Sequence, residues 1–166
     1  LGVCHLAGIA FDSIFGNYEF SKPAVQKRLR QTVRLAALLH DIGHGPLSHA
    51  SEEVMPPLRD LNVKVYSQRA EPPLADRQAD HEDYTIKFVT DSSLSEVLRA
   101  QFSDIDPFHI ACLIDKSLIL RDDFYKDGGV DFRTILSQIV SSEMDVDRMD
   151  YLERDAYFCG TSYGRG

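Results

Sequence analysis

The sequence predicts an all-α fold, on three observations. Along most of the chain, apolar residues recur every three or four positions, which is the period of a helix. Residues that commonly cap helices precede several of these segments, and convincing alternation of apolar and polar residues is missing. Hydrophobic residues make up 43% of the 166 residues and charged residues 27%, which excludes a disordered chain and suffices for one compact domain.

The amino-terminal third predicts helices that end at a group of histidines. Residues 3–10 carry a first apolar face, and a second helix is expected from about Pro23 to Asp41, with Ser21 as its cap. The apolar seam of this second helix consists of Leu29, Val33, Ala36 and His40. The residues expected to end it are Gly43, Gly45 and Pro46. Ser48 is the expected cap of the next helix.

The middle of the chain predicts a loop followed by capped helices. Residues 56–80 are rich in proline and show no sustained hydrophobic period, so they are expected to be mostly loop. A short strand is expected within them at Val63–Tyr66. Helix starts are expected at Asp80 before His81, at Ser93 with Glu96 three residues later, and at Asp106 before Pro107. A turn is expected at Asp127-Gly128-Gly129. The helix that Asp131 is expected to cap would be buried through Phe132, Ile135, Leu136 and Ile139.

The last helix, expected from Asp145 to Phe158, has two chemically different faces. At about 100° per residue, its apolar face is predicted to bury Met149, Leu152, Ala156 and Cys159. The opposing face carries Asp147, Asp150, Tyr151, Arg154 and Asp155. One interpretation is a solvated face on which Asp150 and Arg154 form an ion pair. The tyrosine among carboxylates, together with a second set of metal-ligand residues elsewhere, favours a functional interpretation.

The net charge limits the partners of the protein. Eighteen Lys and Arg residues against 26 Asp and Glu residues leave a formal charge of −8, which repels nucleic-acid backbones. Nucleic acid is therefore not expected as a substrate. A phosphate substrate would have to be drawn in by a local cation.

Cysteine content and hydropathy predict a cytoplasmic protein. Cys4, Cys112 and Cys159 are widely spaced, and we expect buried free thiols in a reducing cytosol. No apolar run approaches the roughly 18 residues of a spanning helix, so no membrane partner is expected. The chain opens at Leu1 within an apolar pattern, and we expect it to be a fragment of a longer chain.

The densest set of metal-ligand residues is the segment His40-Asp41-Ile42-Gly43-His44-Gly45-Pro46-Leu47-Ser48-His49. Imidazole and carboxylate groups are good ligands for a borderline divalent cation. Because neighbouring helical residues point about 100° apart, His40 and Asp41 can share an ion only where the helix ends and leaves room for other ligands. The alternative is a core histidine beside a capping aspartate.

This segment, together with the preceding Leu38 and Leu39, resembles the HD-domain metal-dependent phosphohydrolases, most closely their deoxynucleoside triphosphate triphosphohydrolase branch. Asp145-Val146-Asp147-Arg148-Met149-Asp150-Tyr151-Leu152-Glu153-Arg154-Asp155 is similar to the second signature of that branch. Asp80-His81-Glu82 is a shorter and weaker match between the two. The resemblance implies an HD domain core over residues 1–166.

The resemblance also implies a ligand set for the catalytic cation. His40, Asp41 and Asp147 take three of the four ligand positions of the family. The fourth, a histidine, is expected immediately upstream of Leu1. His5 is the only nearby substitute, and helix packing is the favoured interpretation for it.

Roles in catalysis follow from the same resemblance and from the chemistry of triphosphate ester hydrolysis. The leaving 5′-oxygen needs a proton, for which His49 and His81 are the candidates, with Glu52 orienting His49 or a water. Substrate contacts are expected from His44 and Arg148 to phosphate, from Tyr151 to the sugar, and from Asp155 to the 3′-hydroxyl.

The implied reaction converts a deoxynucleoside triphosphate and water to the deoxynucleoside and triphosphate. The divalent cation is expected to be Mg, Mn, Fe, Ni or Zn, and the family resemblance implies a homo-oligomer. Two alternatives stay open. One is a phosphodiesterase or nucleotidase that acts on another phosphate ester, and the other is a regulatory nucleotide-binding domain without turnover.

Overall fold

A computed structural model describes residues 1–142 and 145–161 and confirms the all-α class. The described helices are α1 (Gly2–Phe15), α2 (Pro23–Leu39), α3 (Leu58–Leu61), α4 (His81–Thr90), α5 (Ser93–Gln101), α6 (Pro107–Ile114), α7 (Arg133–Val140) and α8 (Val146–Cys159). Two short 3-10 helices span Ser48–Val54 and Lys64–Gln68, and a small antiparallel hairpin pairs β1 (Lys126–Asp127) with β2 (Val130–Asp131). In the part of the chain that is described, none of the helices is long and apolar enough to cross a membrane.

The chain forms two compact units, Leu1–Leu38 with Tyr125–Gly166, and Leu39–Phe124. The first unit is built around aromatic side chains. Phe11 and Phe15 of α1 are buried, and the Phe15 ring meets the ring of Phe132 edge-on at a centroid distance of 5.4 Å. Phe20 lies against the same Phe132 ring at 5.5 Å. These tilted contacts are favourable aromatic geometries, and they join the segment after α1 to the start of α7.

The hairpin of the first unit is tied to the start of α2. The predicted turn is confirmed, and Gly128 and Gly129 have φ values of 55° and 82°, which glycine adopts at little steric cost. Asp127 accepts the backbone N–H of Ser21 at 2.9 Å and also its hydroxyl. These hydrogen bonds from Ser21 hold the pKa of Asp127 below its usual value. The hydroxyl that the sequence predicts as a cap for α2 thus donates to the hairpin.

The second unit is centred on α4, against which α3, α5 and α6 pack. Ile86 and Val89 point into its core as predicted, with 1% and 0% of their surface exposed. The predicted cap of α4 is confirmed, since Asp80 accepts the N–H of Asp83 at 3.0 Å and Asp83 accepts the N–H of Asp80. Asp106 caps α6 as predicted.

Several local predictions are wrong. The cap of α5 is Ser92, one residue before the predicted Ser93, because a neighbouring serine offers the same hydroxyl in better register. The strand predicted at Val63–Tyr66 is largely the 3-10 helix Lys64–Gln68, since a lone short strand has no partner to complete its hydrogen bonds. Ser48 does not cap the helix that it begins; Leu47 and Ser48 instead have φ values of 69° and 54°. The strands of the hairpin were not predicted, because two residues are too few to show alternation of apolar and polar side chains.

The buried face of the last helix also differs from the prediction. Val146 and Ala156 are the residues of α8 that are buried, whereas Met149 and Leu152 are 45% and 50% exposed. Cys159 is exposed and Cys4 is half-buried, so Cys112 is the one predicted buried thiol that lies in the core. None of these three described cysteines is in a disulfide. Ile135 of α7 is likewise 37% exposed rather than buried. Period alone indicates an apolar face, and the neighbouring elements decide how much of that face is covered.

Candidate active site

The helix α2 ends at Leu39, one residue before the His-Asp pair. The chain then turns, and the N–H of His44 donates to the carbonyl of Asp41 at 3.2 Å. His40 Nε2 lies 3.6 Å from Asp41 Oδ2, and His44 Nε2 lies 3.7 Å from the same oxygen. A continuing helix would turn neighbouring side chains about 100° apart. The end of α2 therefore allows the imidazole of His40 and the carboxylate of Asp41 to converge.

Gly43 brings this turn against the start of α4. Its N–H donates to Thr85 Oγ1 at 3.0 Å. A Cβ atom at this position would lie 2.7 Å from that oxygen and would overlap the carbonyl oxygen of His81. Glycine is required here for close approach between two backbones. The approach places His44, the next residue, beside His81.

Three imidazole rings and one carboxylate meet at this junction, in a group that we call the histidine cluster: His44, His49, Glu52 and His81. The rings of His44 and His81 stack, with centroids 3.9 Å apart and an angle of 9° between their planes. The ring of His49 meets each of them nearly edge-on at 5.0 Å. Each of the four side chains offers one donor atom, and these atoms lie within 4.8 Å of one another. The structure thus brings together four residues that the sequence singled out in two separate segments, 44–52 and the start of α4.

Glu52 is the centre of the histidine cluster. Its Oε1 atom contacts His49 Nδ1 at 3.1 Å and also contacts His81 Nδ1. Hydrogen bonds from His81 and from His49 hold the pKa of Glu52 below its usual value, so the carboxylate is charged at neutral pH. By engaging Nδ1, this carboxylate orients each ring and leaves its Nε2 atom for other partners. His49 is 70% exposed and His81 only 18%.

A buried ion network in the first turn of α4 was not predicted from the sequence. Asp83 is 1% exposed and accepts the Tyr66 hydroxyl at 2.6 Å and two guanidinium nitrogens of Arg77 at 2.7 and 2.6 Å. Burial by itself raises the pKa of Asp83, but the hydrogen bonds from Arg77 and Tyr66 outweigh burial and hold that pKa below its usual value. The network anchors the first turn of α4, where His81 is the first residue.

Of this network, the sequence signals only the spacing of Asp80 and Asp83, which is that of a capping box. Tyr66 and Arg77 belong to the proline-rich segment 56–80, in which no periodic pattern indicates a contact. Their part in positioning His81 is visible only in three dimensions.

The remaining predicted site residues lie on α8 in the first unit: Asp147, Arg148, Tyr151 and Asp155. Asp147, Tyr151 and Asp155 follow at intervals of four residues and so share one face of the helix. Asp147 is half-buried and Tyr151 is 37% exposed. The helix starts at the cap Asp145, which accepts the N–H of Arg148 at 2.9 Å. Asp150 and Arg154 form the predicted ion pair.

A sequence profile of the HD domain matches residues 1–155. The chain therefore belongs to the HD domain family. This family belongs to the superfamily of metal-dependent phosphohydrolases, so the family resemblance drawn from the His-Asp motif is confirmed.

Relatives of this HD domain come from distant organisms. It is 37% identical to an uncharacterised protein of Mycoplasma pneumoniae, covering 84% of this chain and 27% of the relative. It is 30% identical to a protein of Dictyostelium discoideum named as a deoxynucleoside triphosphate triphosphohydrolase SAMHD1 homolog, covering 98% of this chain and 27% of that protein.

A solved structure is also similar to this HD domain. The crystal structure of a hypothetical protein from Aquifex aeolicus superimposes with a TM-score of 0.56 at 29% identity, covering 99% of this chain and 33% of that chain. The HD domain thus spans about a quarter to a third of the length of the proteins that it matches.

Proposed function

We propose that this HD domain hydrolyses deoxynucleoside triphosphates to the deoxynucleoside and triphosphate. The observation that carries the proposal is the histidine cluster, in which a charged Glu52 orients the exposed ring of His49 next to the His40–Asp41 turn. The similarity to the Dictyostelium discoideum protein supports this substrate class. Homo-oligomerisation stays a prediction from the family.

His40, Asp41 and Asp147 are the proposed ligands of the divalent cation. The donor chemistry fits, because His40 Nε2 and Asp41 Oδ2 lie 3.6 Å apart and combine imidazole with carboxylate, a set that suits borderline divalent cations. Asp147 joins them in the proposal through the sequence resemblance of α8. When bound, a divalent cation lowers the pKa of water and offsets charge that develops on phosphoryl oxygens.

His49 is the proposed general acid. Its Nδ1 atom lies 3.1 Å from the Glu52 carboxylate, which accepts the Nδ1 proton and orients the ring so that Nε2 can donate to the 5′-oxygen of the leaving deoxynucleoside. His81 donates to the same carboxylate and so holds Glu52 in place. His81 is the second candidate for this proton transfer, but at 18% exposure it is less accessible than His49.

Substrate binding is proposed to use His44, Arg148, Tyr151 and Asp155. His44 and Arg148 would contact phosphate oxygens, which is consistent with the need for local cations in a protein of net charge −8. Tyr151 would pack against the sugar, and Asp155 would accept a hydrogen bond from the 3′-hydroxyl.

Product analysis tests the proposal in the protein that carries this domain. With a deoxynucleoside triphosphate and Mg²⁺ or Mn²⁺, we expect inorganic triphosphate and deoxynucleoside in equal amounts. We expect His49→Ala to lower kcat by about 10²- to 10⁴-fold, the usual contribution of a general acid. Orthophosphate or a nucleoside monophosphate as the product would refute the triphosphohydrolase assignment and favour the phosphodiesterase or nucleotidase alternative.

The chain offers a matched control for the carboxylate. Glu52→Gln removes the charge that orients His49 and should lower kcat, whereas Glu53→Gln removes a charge from an exposed neighbour and should leave kcat unchanged. Equal activity of the two variants would exclude a role for Glu52. Binding of the nucleotide without any turnover would favour the regulatory alternative.

A further inference from the structure

The histidine cluster has the composition of a complete metal site by itself. Its four donor atoms, three imidazole nitrogens and one carboxylate oxygen, lie within 4.8 Å of one another. All four residues belong to one compact unit, Leu39–Phe124. None of them is among the residues proposed above to hold the catalytic cation.

We propose that His44, His49, Glu52 and His81 form a second cation site, selective for Zn²⁺ or a cation of similar chemistry, which inhibits the enzyme when occupied. The inhibitory consequence rests on the proposed function, because occupancy would engage the imidazole assigned as general acid. The binding itself does not depend on turnover.

The donor atoms of the cluster lie within reach of the spacing that a tetrahedral zinc site needs. Zinc lies about 2.0–2.1 Å from histidine nitrogen and about 2.0–2.2 Å from carboxylate oxygen, so the donor atoms of a tetrahedron are roughly 3.4 Å apart. His49 Nδ1 and Glu52 Oε1 are already 3.1 Å apart, and the outer limit for the cluster is 4.8 Å. His49 is 70% exposed and lies in a short 3-10 helix, so its ring has room to rotate inward.

The donor set discriminates between cations. Mg²⁺ prefers oxygen ligands and retains several waters, so three imidazoles are a poor environment for it. Zn²⁺ and Co²⁺ bind imidazole well. Four protein ligands also leave no open position, which is the pattern of structural rather than catalytic zinc sites. A cation held here would therefore block the cluster instead of activating water.

Cobalt binding tests this inference without any assay of turnover. The chain carrying His40→Ala and Asp147→Ala lacks the proposed catalytic ligands and leaves the histidine cluster intact. In the presence of excess Mg²⁺, we expect it to bind one equivalent of Co²⁺ with the intense visible absorption of tetrahedral coordination. Adding Zn²⁺ should displace the Co²⁺ and abolish the band.

Further substitutions in this background assign the site. Glu52→Gln and His49→Ala should each abolish the stoichiometric band, whereas Glu53→Gln should retain it. His49 is exposed, so its loss should not disturb folding, which far-UV circular dichroism would verify. Absence of the band in the parent double variant, or a band that survives both Glu52→Gln and His49→Ala, would overturn the second site. Either result would leave the proposed triphosphohydrolase activity untouched.

Discussion

At the residue scale, Gly43 decides how the His-Asp turn meets α4. The sequence marks it only as one of three residues that end a helix, and its N–H bond to Thr85 Oγ1 appears only in the structure. The position has no room for a side chain, because a Cβ atom would meet backbone atoms of His81 and Thr85 rather than the flexible end of a side chain. The short distance between His44 and His81 is possible because Gly43 has no side chain.

Gly43→Ala should therefore destabilise the second unit and separate the stacked rings of His44 and His81. Overpacking of this kind costs about 1–3 kcal/mol, because the backbone must shift to make room. Chemical denaturation would measure the change in the free energy of unfolding. A midpoint equal to that of the unsubstituted protein would contradict the close contact between the turn and α4.

At the element scale, capping residues decide where helices start, and side-chain hydrogen bonds between elements fix how the elements are joined. The caps of α4 and α6 could be predicted because Asp80 and Asp106 each precede an apolar segment directly. The link between the hairpin and α2 could not be predicted, because it joins Ser21 to Asp127, which are 106 residues apart in the sequence. Separations of that size leave no periodic signal in the sequence.

The link between Ser21 and Asp127 should make stability depend on pH. The folded-state pKa of Asp127 is lowered, so its contribution is fully present above the unfolded pKa of about 3.9 and is lost as pH falls through the folded pKa. Ser21→Ala should be less stable than the unsubstituted chain at pH 7, and this difference should shrink in acid. Thermal unfolding between pH 7 and pH 2 measures it.

An exposed serine of α1 provides the control for this measurement. Ser13→Ala removes a hydroxyl of the same size from the surface, and its effect on stability should be small at every pH. If the stability difference between Ser21→Ala and the unsubstituted chain stays constant down to pH 2, the Ser21 hydroxyl does not stabilise the ionised form of Asp127.

At the scale of the whole molecule, the charge of −8 on these 166 residues predicts which phosphate compounds bind. Long polyanions are repelled by the summed field, whereas a triphosphate is small enough to be held by a bound cation and a few local side chains. This difference is consistent with the proposed nucleotide substrate and with the prediction that nucleic acid is not a substrate.

We accordingly expect no binding of a labelled single-stranded oligonucleotide, even at about 50 mM salt, where phosphate contacts are strong. Fluorescence anisotropy of the oligonucleotide should stay constant as the protein is added, while a basic single-strand-binding protein raises it under the same conditions. Saturable binding that weakens with added salt would instead indicate a local basic surface strong enough to override the net charge.

The sequence by itself determined the all-α class and the HD family, because helix period, capping residues and the His-Asp motif are local patterns. It also predicted the residues of the candidate site. The tertiary structure decided that His44, His49, Glu52 and His81 meet around one carboxylate, and that Tyr66, Arg77 and Asp83 hold the helix below them. It also decided that Met149 and Leu152 stay exposed. The physical reason is the same in each case. A helical period shows which residues share a face, but it does not show which distant segment packs against that face.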